Sequence, residues 1–200
     1  MNSDAVGGFL FAADPHKPFD IQTIFWAPEV LPTVLKVRGA YSQADSRPYS
    51  LNLANADLRH TADGWHAVLR LGAATHRLWL PKLPKHSLVV IELPLDADFG
   101  LRTRAANRLW SALDGQAQGP PHPDLSVQIR ERLTLSIRAY DAHAEGTSYR
   151  TIAEVLFGEE LTAERDWKTH DVRSRTIRLV QKGAALVRGG YRALLRHKRK

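Results

Sequence analysis

The apolar positions change period near residue 95. Before it the runs are short and β-like. "TVLKVRG" alternates Val34, Lys36 and Arg38 with Leu35 and Val37. "WHAVLRLG" and "THRLWLP" flank a hairpin-like break at Gly72-Ala73-Ala74, and "SLVVIELP" is the strongest strand candidate, ended by Pro94. "IFWAPEV" is also β-like, though Pro28 interrupts it. Residues 1–23 show no period, and 40–64 are polar and irregular with a turn at Asp63-Gly64. Four or five strands between 24 and 93 predict a small sheet or open barrel.

Beyond Pro94 the spacing becomes helical. Leu101, Ala105, Leu109 and Leu113 fall four apart and predict an amphipathic helix ending near Gly115. Leu125, Ile129, Leu133, Ile137 and Tyr140 mark one face of a second helix, with Asp124 as its cap and Gly146 as its stop. "SYRTIAEVLFG" predicts a short third helix, N-capped by Ser148 and closed by Gly158. A fourth helix follows Thr169 as cap, with Asp171 in its first turn, where the helix dipole favours an acid. Gly189-Gly190 breaks or kinks it. The fold class expected is α+β: a β-rich N-terminal region over 1–95, then an all-α, helix-turn-helix-like domain over 96–200.

The run from Gly146 follows helix-turn-helix rules: a short helix with the small Ala153, a turn, then a longer basic helix. In the second helix Val172, Ile177, Val180, Ala184 and Val187 are expected to face the core. Arg175, Arg178 and Lys182 recur at i, i+3 and i+7 as one exposed stripe, with Arg173 beside it. Guanidinium groups at that spacing suit a major groove, where they can fork onto guanine or onto phosphate. An ordinary amphipathic helix with a solvated arginine face has the same period.

Charge sharpens this picture. The net +7 is unevenly placed: residues 165–200 hold twelve Lys or Arg against Asp166 and Asp171, and the remainder is net acidic. Such asymmetry points to a polyanion, nucleic acid before membrane. No stretch reaches about 18 apolar residues, and the N-terminus lacks signal-peptide features, so no membrane span or leader is expected. Cysteine is absent, which excludes disulfides and suits a cytoplasmic location. The histidines show no metal-ligand spacing. Gly-x-Ser-x-Gly, P-loop and Gly-x-Gly-x-x-Gly motifs are missing. Neither an enzyme, a cofactor nor a metal is expected.

"YR-x-IA-x-x-LFG", a following Trp167, "R-x-R-T-I-R-L" and "RGGYR-x-LL" occur in order between residues 149 and 195. This C-terminal signature resembles the RovC-like DNA-binding domain of proteobacterial type VI secretion transcription factors, over about residues 97–200. The resemblance implies a transcription factor that binds promoter DNA. Relatives include activators of type VI secretion genes and of excision functions on integrative and conjugative elements in rhizobia. Some relatives carry a further small regulator-like segment upstream; a partner or an upstream reading frame is expected to supply it here. Val187 departs from the pattern, where methionine would be expected.

The DNA-contact candidates are Tyr149, Arg150, Lys168, Arg173, Arg175, Arg178, Lys182, Arg188 and Arg192. Tyr149 and Arg150 could clamp a phosphate at a helix start or be plain surface. Arg188, Arg192 and Arg196, four apart, suggest a second basic stripe for phosphates. Trp167 reads as a core plug or hydrophobic staple. The partners expected are double-stranded DNA, further copies of the chain and a regulatory protein. The alternative reading is an interaction protein whose basic end holds an acidic partner; RNA binding lacks an aromatic platform.

Overall fold

A computed structural model describes residues 10–12, 14, 16–18, 21–39, 51–84, 88–119, 125–159 and 171–196. Two compact units emerge: residues 1–123 together with 195–200, and residues 124–194.

The first unit is built on five strands, β1 (Val34–Gly39), β2 (Asp57–Thr61), β3 (Gly64–Leu71), β4 (Ala74–Leu80) and β5 (Val89–Glu92), and on helix α1 (Phe99–Leu113). The spatial order is β2-β3-β4-β1-β5. β1 runs parallel to β4, and every other neighbouring pair is antiparallel. Strand alternation makes the core: Leu58, Ala67, Leu78 and Leu35 pair in register across four strands on one face. Val37, Leu69 and Leu80 extend that cluster. Leu109 of α1 is buried in it, with Ala105, Ala106 and Leu113 packed alongside. The helix therefore belongs to the sheet's compact unit, although the change in composition precedes it. On the opposite face His66 and Val68 are also buried, and Phe11 meets both Phe25 and His66 edge-on.

Three local features differ from the sequence pattern. Residues 24–30 hold an isolated bridge at Trp26 and a turn over 28–30 rather than a strand, in keeping with Pro28, which has no amide hydrogen to donate. β2 arises inside the stretch that reads as polar and irregular. Its residues, DLRHT, sit at the sheet edge, half-buried or exposed, so they carry no apolar alternation. β5 is only four residues long and forms the other edge.

The second unit holds α2 (Val127–Ala144), α3 (Tyr149–Phe157) and α4 (Asp171–Ala185). A kinked π-helical turn over Leu186–Gly190, with Gly189 at the non-helical φ of 110°, leads into α5 (Tyr191–Leu195). Ala139 of α2, Ile152 of α3, and Leu179 and Val180 of α4 form the buried cluster, with Leu135, Ala142, Tyr149, Leu156 and Phe157 packed around it. Ser126 caps α2 by accepting the Ile129 amide hydrogen; Asp124, the cap expected from sequence, lies outside the described residues. The α2 residues in this cluster are Leu135, Ala139 and Ala142, with Ser136 fully buried beside them, whereas Leu133, Ile137 and Tyr140 are half-buried. No described helix is long and apolar enough to cross a membrane.

Candidate nucleic-acid interface

α3 is short and amphipathic. Ser148 accepts the Thr151 amide hydrogen at 3.2 Å, which satisfies one donor of the first turn. Ile152 and Ala153 are buried, and Gly158 ends the helix with φ 97°. Residues 158–170 separate α3 from α4, more than the usual three or four or so of a helix-turn-helix. Residues 160–170 lie outside the described residues, and with them Lys168, Trp167 and the Thr169 cap.

α4 is held inward by Val172, Thr176, Leu179, Val180 and Gly183. The Thr176 hydroxyl is fully buried and donates to the Val172 carbonyl oxygen at 2.8 Å, so a polar side chain sits in this face without an unpaired donor. This inward face differs from the one expected. Ile177 and Ala184 are half-buried, and Val187 is exposed just before the kink at Gly189. Val187 is thus a surface position, where valine in place of methionine disturbs no core.

The outward side of α4 carries the basic stripe. Arg175, Arg178 and Lys182 are all exposed; Arg173 is half-buried. The Arg175 guanidinium lies over the Phe157 ring, 4.4 Å from its centroid. Arg178 approaches the Asp171 carboxylate at 3.8 Å, and both groups are open to solvent. At that exposure the pair constrains Arg178 little. Among the described residues no carboxylate lies within ion-pairing distance of Arg175 or Lys182.

The remaining candidates are placed differently. Tyr149 is half-buried, joins the helical core and stacks on His143 with ring centroids 4.5 Å apart. Arg150 is exposed and pairs with Glu154 one turn on, at 3.3 Å. Arg188 is exposed in the π-helical turn and Arg192 is half-buried in α5. Gly189 there has φ 110°, a non-helical value that breaks the spacing of four. Arg196 is committed elsewhere. Its guanidinium donates to the Asp98 carboxylate at 3.1 Å and to the Glu29 carbonyl at 2.7 Å, within the first unit. Arg188, Arg192 and Arg196 therefore do not make one continuous stripe.

Sequence reasoning missed Phe157. Its pairing with Arg175 joins two helices across a long connection, and no local period signals such a contact.

The arrangement offers positive charge and planar hydrogen-bond donors on one helix. That set can bind phosphate and base edges. No curated protein matches the chain closely enough to count as a relative. Residues 92–196, from the end of β5 through α5, match the RovC DNA-binding domain family, described as "T6SS, Transcription factor, DNA binding domain", and the chain belongs to that family.

Proposed function

We propose that this chain is a bacterial transcriptional regulator, an activator, that binds promoter duplex DNA through a helix-turn-helix-like α3–α4 pair. One observation carries the reading. α4 is pinned by its apolar side to α2 and α3 while Arg175, Arg178 and Lys182 project together from the other side. Family membership supports the same assignment. Arg173, Arg175 and Arg178, in the first turns of α4, are the residues to reach base edges. Lys182, Arg188 and Arg192 lie further along and suit phosphates, as does Lys168 before the helix. Arg150 suits a phosphate at the start of α3. Tyr149 positions that start through its stack on His143 rather than by direct contact.

The work is recognition and recruitment, carried out in the cytoplasm. The chain acts as a homo-oligomer on repeated half-sites, with a regulatory protein as a further partner. Competition mobility-shift titration of the full chain tests the core of this reading. Retention of selected duplexes under excess random DNA is expected. Equal loss of every duplex, with capture of an acidic protein instead, favours the interaction-module alternative.

A further inference from the structure

We propose that Phe157 is a positioning residue for DNA recognition: its ring holds the Arg175 guanidinium in its binding orientation before DNA arrives. This rests on the reading of α4 as the DNA-facing helix.

Phe157 ends α3 and is fixed from behind by the Ala139, Ile152, Leu179 and Val180 cluster. Its ring also meets the outward side of α4, where the Arg175 guanidinium lies 4.4 Å from the centroid while the residue remains exposed. A cation–π contact engages no hydrogen-bond acceptor, so the guanidinium keeps its N–H donors for a phosphate or a guanine edge.

An exposed arginine normally loses rotamer freedom when it binds. One already laid on a ring has less to lose, so more of each contact appears as affinity. The neighbouring side chains lack this support. Among the described residues of the α4 stripe, only Arg175 lies over an aromatic ring, while Arg178 instead faces Asp171. Phe157 would then govern affinity through Arg175 without touching DNA.

The test uses the full chain, a duplex selected by it from a random pool, and a scrambled duplex. Phe157→Leu should weaken binding to the selected duplex by about two- to fivefold, the range that an exposed cation–π contact spans. Phe157→Trp, which keeps an aromatic face, should restore it. In an Arg175→Ala background Phe157→Leu should have no further effect, whereas combined with Lys182→Ala its effect should persist in full. If the leucine variant does not fold, Arg175 Nε relaxation in the unaltered protein decides: Arg175 should be more ordered than Arg178.

Several results overturn the proposal. Unchanged affinity in folded Phe157→Leu would do so, as would additive losses with Arg175→Ala or equal mobility of Arg175 and Arg178. Unaltered protein that binds neither duplex would remove the DNA reading itself and this inference with it. A loss in Arg175→Ala but none in Phe157→Leu would remove only the inference.

Discussion

Gly183 of α4 lies directly against the backbone of Ser136 in α2. A Cβ built on Gly183 would stand 2.2 Å from the Ser136 carbonyl oxygen and 2.5 Å from the Tyr140 Cβ. Neither obstacle is the loose end of a flexible side chain, so the two helices meet this closely only because position 183 carries no side chain. Gly183→Ala should therefore destabilise the helical unit, against the usual gain in helix propensity. Overpacking of this kind costs about 1–3 kcal/mol, and backbone contact puts it at the upper end. Chemical unfolding followed by helical circular dichroism measures it, and an unchanged midpoint would contradict the close crossing.

That crossing also shows what the apolar pattern could and could not convey. Residues spaced by four, such as Leu125, Ile129, Leu133 and Ile137, advance about 40° around a helix at each step. Such a series announces a helix but winds away from any single neighbour. Two fully buried α2 positions are Ser136, which lies against Gly183 of α4, and Ala139, small residues that carry little apolar signal. In α4 the inward Thr176 and Gly183 are invisible for the same reason, whereas the kink at Gly189-Gly190 is legible from its two glycines. By contrast, Ser148, Gly158 and the Arg175, Arg178 and Lys182 stripe were legible. Capping and exposed charge periodicity are local properties of the chain. β2 was not, because an edge strand needs a pairing partner and not an apolar face of its own.

Stability should fall as the medium turns acidic, beginning with two histidines of the sheet. Burial pushes both His66 and His76 below the ordinary 6.5; Asp63 opposes this at His66, and Arg108 adds to it at His76. The unfolded chain thus takes up protons that the folded chain refuses. Their contribution is fully present above about pH 6.5 and is lost as pH falls through the depressed folded values. A second loss follows at lower pH. The Thr23 hydroxyl and then Arg70 hold Asp57 below its ordinary 3.8, and that stabilisation disappears as the carboxylate protonates. The unfolding midpoint should decline from about pH 7.5 to about pH 5, and His66→Gln with His76→Gln should flatten that decline. A flat profile in the unaltered protein counts against the assignment.

Asp171 sits in the first turn of α4, largely open to solvent, with its carboxylate 3.8 Å from Arg178. A negative charge there interacts favourably with the helix dipole and, on the proposed reading, competes with DNA for Arg178. Asp171→Asn should lower helix stability slightly, by about 0.3–1 kcal/mol. It should also tighten duplex binding at low salt by about two- to fivefold, the equivalent of an exposed ion pair worth about 0.5–1 kcal/mol. Parallel thermal unfolding and anisotropy titrations would show the two effects with opposite signs. Weaker binding in the asparagine variant would mean that Asp171 itself assists the complex.

The basic stripe makes a graded prediction about salt and sequence. Four arginines and lysines, Arg175, Arg178, Lys182 and Arg188, are exposed, while Arg173 and Arg192 are half-buried. If between about four and six of them neutralise phosphates, the log–log dependence of affinity on salt should have a slope of roughly −3.5 to −5.5, at about −0.9 per phosphate. Within that total the positions should separate. On the proposed reading Arg178, in the first turns of α4, reaches a base edge. Arg178→Ala should cost about 1–3 kcal/mol on a selected duplex and much less on a scrambled one. Lys182 and Arg188 lie further along the chain. Their alanine variants should weaken both duplexes alike and make the slope shallower by about one each. Measuring every variant on both duplexes at several salt concentrations separates the roles. Equal losses for Arg178→Ala on both duplexes would assign it to phosphate, and a slope near zero in the unaltered protein would point to an apolar protein interface.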